Sequence, residues 1–116
     1  MKKVTIYHNP GCSKSRQALE LLQNHDLNLS VIDYLKTPLN LEQLLELRKY
    51  FDLKDFVRTN EPVFKNLNLT LEDEAKVLEA MLKEPILMQR PMITYNGQAI
   101  IARPPEKVLE LIAPSL

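Results

Sequence analysis

The sequence predicts an α/β fold built from a strand–helix–strand unit, a helical insertion and a strand–strand–helix unit. Three observations carry that prediction. β-prone runs at residues 4–8 and 29–33 enclose a stretch in which Ala18, Leu19, Leu21 and Leu22 recur at roughly helical spacing. Asn96-Gly97 separates two short apolar runs, and a tight primed turn of that kind needs positive φ. Between the two halves, leucines at helical spacing replace the alternation expected of strands.

Taken in order, residues 4–8 read as the first strand and residues 13 to about 25 as a helix. A second strand at 29–33 then requires a right-handed crossover and a parallel pair, and residues 34–38 connect onward. Asn40 and Gln43 stand in a capping relation ahead of a helix carrying Leu41, Leu44, Leu45 and Leu47. Residues 51–69 are less regular and read as short helical turns containing Arg58, Asn60 and Glu61. Residues 70–73 open a further helix with Leu71, Ala75, Leu78, Met81 and Leu82 on its buried face, and Pro85 stops it. Residues 92–95 and 99–102 flank Asn96-Gly97 as an antiparallel hairpin. Pro104-Pro105 opens the closing helix through Val108, Leu109 and Ile112. This order is the thioredoxin-like plan with helices inserted between its halves, expected as one domain over residues 1–116. Its first strand-to-helix turn presents Cys12 at the C-terminal edge of the sheet, where such folds place their sites.

Bulk properties narrow the function. A chain of 116 residues can bury a real core. Fifteen basic and fifteen acidic side chains cancel, so no overall field draws it to nucleic acid or anionic lipid, and any positive site must be local. No apolar run reaches membrane-spanning length and the N-terminus lacks the apolar core of a signal peptide, so a cytoplasmic location is expected. One cysteine excludes an internal disulfide and a multi-cysteine zinc site. With two separated histidines beside it, no metal is expected. Nothing demands more than a monomer.

Cys12 is the residue with the clearest chemistry. A thiol at the first turn of a helix meets unpaired N–H groups and the positive end of the helix dipole, which lower its pKa. Lys14, Arg16 and a protonated His8 add positive charge nearby. Thiolate is the reactive form, so Cys12 reads as a nucleophile or redox centre; the alternative is a small buried apolar residue. His8 ends the first strand, within reach of Asn9 or Ser15, and can assist thiolate formation. Ser15, third after Cys12, can donate a hydrogen bond to a thiolate but cannot form a disulfide with it. Arg58, Arg90 and Arg103 supply planar, permanently charged forks suited to tetrahedral oxyanions such as phosphate or arsenate, or else stand as solvated surface charges. Arg90-Pro91 begins the predicted third strand, where thioredoxin-like folds place a cis-proline facing the cysteine.

These residues together resemble a known family. Residues 6–12 (Ile-Tyr-His-Asn-Pro-Gly-Cys), Ser15-Arg16, Val57-Arg58, Asn60-Glu61-Pro62, Pro85-Ile86-Leu87, Arg90-Pro91 and Arg103-Pro104 are similar, in the same order, to the glutaredoxin-coupled arsenate reductases and their arsenate-reductase-like relatives. The chain departs from the established reductases at Gly11, where they usually carry Ala, and at Ser13-Lys14, where Gly-Thr is common. The resemblance implies Cys12 as nucleophile, His8 as an aid to its ionisation and Ser15 as the hydroxyl near the thiolate. It implies Arg58, Arg90 and Arg103 as the cations that hold the arsenic oxyanion. It further implies glutathione as co-substrate, glutaredoxin as protein partner and no bound cofactor. A lone cysteine can start such a reduction, and the second thiol must come from outside the chain. Two other readings stay open. One is a binding protein like the Spx-type regulators that share this fold and contact RNA polymerase, although Ser15 stands where their second switch cysteine lies. The other is a general glutathione-linked thiol oxidoreductase.

Overall fold

A computed structural model describes residues 3–115 of the chain. In order, its elements are β1 (Lys3–His8), α1 (Ser13–Gln23), β2 (Asn28–Asp33), α2 (Leu41–Arg48), α3 (Leu53–Phe56), α4 (Pro62–Asn66), α5 (Glu74–Lys83), β3 (Met92–Tyr95), β4 (Gln98–Ile101) and α6 (Lys107–Ile112). This is the thioredoxin-like arrangement, with the βαβ and ββα halves split in sequence by a helical insertion. The chain divides into two compact units, one of Met1–Thr37 with Arg90–Leu116, the other of Pro38–Gln89.

In the first unit the strand order is β2-β1-β3-β4, with β1 parallel to β2 and antiparallel to β3, and β3 antiparallel to β4. Because side chains alternate along a strand, β1 sends Val4, Ile6 and His8 to one buried face. Val4 and Ile6 join Ala18 and Leu22 of α1, Ile93 and Tyr95 of β3, and Val108, Leu111 and Ile112 of α6 in one core. Each fully buried Ile or Leu contributes about 1.5–3 kcal/mol, which presses α1 and α6 onto the sheet. His8 continues the same face one step further, and is buried because that alternation carries it there. The hairpin turn has φ of 52° at Asn96 and 75° at Gly97, the two left-handed residues that the sequence required.

Several boundaries in this unit differ from the sequence expectation, and β1 and β2 each begin one residue earlier, at Lys3 and Asn28. α1 stops at Gln23, where the Asn24 N–H turns back to Glu20 O and the His25 N–H bonds Leu22 O at 3.2 Å. β4 runs one residue earlier, at Gln98–Ile101, and the Ala102 N–H instead bonds Pro91 O at 2.9 Å. α6 begins at Lys107 because residues 104–106 form a turn, whose Pro104 and Pro105 carbonyls each accept an N–H at 3.1 Å, from Lys107 and Val108.

The second unit is helical. Asn40 and Gln43 form a full capping box at the start of α2, each side chain bonding the other's backbone N–H, at 2.8 and 3.0 Å. Arg48 at the end of α2 donates to Phe51 O and to Glu74 at 2.7 Å, tying α2 to the first residue of α5. α5 starts four residues later than expected. The Asp73 carboxylate accepts the Lys76 N–H at 3.2 Å and so sets the cap, while residues 70–73 form a turn closed by the Asp73 N–H on Thr70 O. Leu71 and Ala75 are therefore exposed, and the buried face of α5 is Val77, Leu78, Ala80 and Met81. A short antiparallel bridge joins Val57 to Met88, with the Arg58 N–H on Leu87 O at 2.7 Å and the Gln89 N–H on Phe56 O at 2.9 Å.

Candidate active site

The turn between β1 and α1 is built around Asn9. The Asn9 carbonyl accepts the Cys12 N–H at 3.0 Å, its Oδ1 accepts the Gly11 N–H at 2.9 Å, and its own N–H donates to Ser15 Oγ at 3.0 Å. Arg16 closes the turn from outside, with Nη1 donating to Pro10 O at 2.9 Å. Cys12 is the N-cap of α1, in extended conformation (φ −101°, ψ 122°), and its carbonyl accepts the Arg16 N–H at 3.0 Å, the first bond of the helix.

Cys12 is partly exposed. Burial pushes its thiol up, but the Ser15 N–H, the Arg90 guanidinium and the Lys14 N–H together outweigh burial and bring the thiol below its ordinary value. Its side chain makes no capping hydrogen bond, so these groups act by proximity and charge as much as by contact. The expected sources of charge change accordingly. Lys14 acts through its backbone N–H, Arg16 is spent on Pro10, and the cation at the sulfur is Arg90, from the start of the ββα half.

His8 Nδ1 and Ser15 Oγ lie 2.7 Å apart in a buried hydrogen bond. Burial lowers the His8 pKa, Asp33 pulls it back up and Arg16 lowers it further, with a net downward shift. The shift favours the neutral imidazole, against the protonated His8 that the sequence allowed. Ser15 reaches the sulfur through its N–H, while its hydroxyl serves His8 and Asn9.

Arg90-Pro91 and Arg103-Pro104 are both cis peptide bonds; the first stands where the sequence pointed to one, and the second was not anticipated. Arg103 Nη1 donates to the Arg90 carbonyl at 2.9 Å, so the two arginines neighbour each other as their places on either side of the hairpin implied. Arg58 lies in the other unit, where Nε pairs with Glu61 at 3.0 Å and Nη1 donates to Gln89 Oε1 at 2.8 Å. The sequence offered Asn9 only as a partner for His8, not as the residue that builds the turn, and gave Asp33 no part in the site. Asn9-Pro10-Gly11 carried the signal for the first, because Asn ahead of Pro-Gly initiates turns by accepting a backbone N–H two residues on. Among the described residues no three His, Cys, Asp or Glu side chains gather as a metal site, and no helix is long and apolar enough to cross a membrane.

Residues 7–111 match the profile of the ArsC family. The chain is 43% identical over 117 residues to the uncharacterized protein YfgD of Escherichia coli (strain K12), covering 96% of this chain and 98% of that one. It is 36% identical to an arsenate reductase of Haemophilus influenzae, covering 94% of this chain and 98% of the relative. An arsenate reductase structure from Vibrio cholerae superposes with a TM-score of 0.85 at 39% identity, covering 94% and 97%.

Proposed function

The chain belongs to the ArsC family, and from that membership we propose that it is an arsenate reductase with Cys12 as nucleophile and with glutathione and glutaredoxin as its external reductants. The Cys12 thiolate attacks arsenic(V), a sulfur–arsenic bond forms, and one oxygen leaves as water. Glutathione condenses with the adduct in the same way. A glutaredoxin thiolate then attacks the glutathione sulfur and makes a mixed disulfide, and the electron pair of the broken sulfur–arsenic bond stays on arsenic, now arsenic(III). Hydrolysis of the remaining bond releases arsenite and restores Cys12. Arg90 and Arg103 hold the oxyanion's charge as the adduct forms, and the family resemblance extends that role to Arg58. His8 and Ser15 keep the first turn of α1 in place beneath the sulfur. The enzyme works without a bound cofactor, as a monomer in the cytoplasm, where low-molecular-weight thiols stay reduced.

The observation that carries this reading is a partly exposed thiol, lowered in pKa, with the Arg90 guanidinium upon it and Arg103 adjoining. Purified protein mixed with arsenate, glutathione, glutaredoxin and the glutathione-reducing system should consume NADPH in proportion to arsenate. A Cys12→Ser variant that keeps that rate, or a parent protein active on a glutathionylated peptide and silent with arsenate, rejects it.

A further inference from the structure

Asn9 touches neither a reacting atom nor a titrating group, yet three of its polar atoms face the segment that carries Cys12. The turn from β1 to α1 must satisfy its own buried backbone groups, and Asn9 is itself only 6% exposed. Its Oδ1 takes the Gly11 N–H and its carbonyl takes the Cys12 N–H, so both donors of the turn point inward. Its N–H reaches across to Ser15 Oγ in the first helical turn. The cysteine backbone is thereby locked at both ends, and the N–H groups of Lys14 and Ser15 are left to the sulfur.

We propose that Asn9 is a positioning residue for Cys12: its side-chain oxygen holds the Asn9–Cys12 turn closed, so that the sulfur stays over the first N–H groups of α1 and in reach of Arg90. The proposal rests on the reading of Cys12 as nucleophile. It makes no use of arsenate, so its test is separate from that of the reductase activity. Gly11 belongs to the same contact, since a methyl group there would lie 3.3 Å from Asn9 Oδ1 and would crowd the oxygen.

The test follows the rate of Cys12 alkylation by iodoacetamide across pH. Asn9→Ala should raise the midpoint by about one pH unit, so that below it the alkylation rate falls about tenfold. Asn9→Ser, which keeps an oxygen able to accept the N–H two residues on, should return most of that shift. A general loss of stability would not produce this pattern of loss and rescue, provided that both variants are folded by circular dichroism. An unchanged midpoint in folded Asn9→Ala, or no difference between the Ala and Ser variants, overturns the proposal. Should Asn9→Ala fail to fold, amide hydrogen exchange of Gly11 in the unmodified protein decides the matter. Slow exchange relative to an exposed loop amide supports the closed turn, and free exchange overturns it.

Discussion

Arg90 and His8 act on the Cys12 centre by opposite means, and each makes a separate prediction. Arg90 adds a hydrogen bond and a positive charge to the sulfur. Arg90→Ala should therefore raise the thiol midpoint by about one unit or more, as expected for loss of a charge-assisted contact. Arg90→Lys should recover part of the shift, because an ammonium keeps the charge without the planar fork. The pH profile of alkylation reads both. The His8 pKa is lowered mainly by burial, which favours the neutral imidazole. In the window between that lowered value and the ordinary 6.5, the unfolded chain binds the proton and the folded one does not. Stability therefore rises with pH across the window, and the loss on acidification begins near 6.5 and is complete below the folded value. His8→Gln should flatten that acid limb in urea midpoints taken from about pH 5 to about pH 7.5. Cys12, His8, Ser15 and Arg90 were legible because their side chains announce chemistry. The first-turn N–H groups were legible as a set, from the place of Cys12 ahead of a helix, but not that Lys14 and Ser15 supply them, since a backbone donor has the same identity at every residue. At Lys14 the backbone N–H, not the ammonium, acts on the sulfur.

Among the elements, turn and cap chemistry explains both what could be read and what could not. Asn96-Gly97 allowed one turn type, and the hairpin formed there with both residues at positive φ. Gly97 has open space where a Cβ would stand, so Gly97→Ala meets no clash and carries only the left-handed backbone cost. Urea unfolding should show a loss of roughly 1–2 kcal/mol. The start of α5 differs from the sequence expectation because Thr70 and Asp73 are both able to cap. Asp73 reaches the Lys76 N–H at 3.2 Å, whereas Thr70 Oγ1 engages the Glu72 N–H at 3.4 Å within the preceding turn. Competition between two cap-forming side chains is settled by tertiary placement, which a single stretch of sequence does not display. Asp73→Ala should lower stability by about 0.5–2 kcal/mol, while Thr70→Ala should cost a few tenths at most. A larger loss at Thr70 than at Asp73 would return the helix start to the earlier position.

For the molecule as a whole, two counts matter more than any single contact. Its fifteen positive and fifteen negative side chains leave no net field, so the cations that would meet an oxyanion are local ones, Arg90 and Arg103 of one unit among them. The sequence order of strands and helices was enough to read the thioredoxin-like plan, because handedness and hairpin rules leave few alternatives. The electron count follows from a single cysteine. Reducing arsenic(V) to arsenic(III) takes two electrons, which two thiols supply on becoming one disulfide. One chain brings one thiol, so without an external reductant two chains together can release at most one arsenite, through a disulfide between their Cys12 residues. Protein incubated with excess arsenate and no other thiol should yield no more than that, measured as arsenite by chromatography. Addition of glutathione with glutaredoxin should restore continuing release. Arsenite produced beyond one per two chains in the thiol-free mixture would mean that electrons reach arsenic by a route that a single sulfur cannot provide.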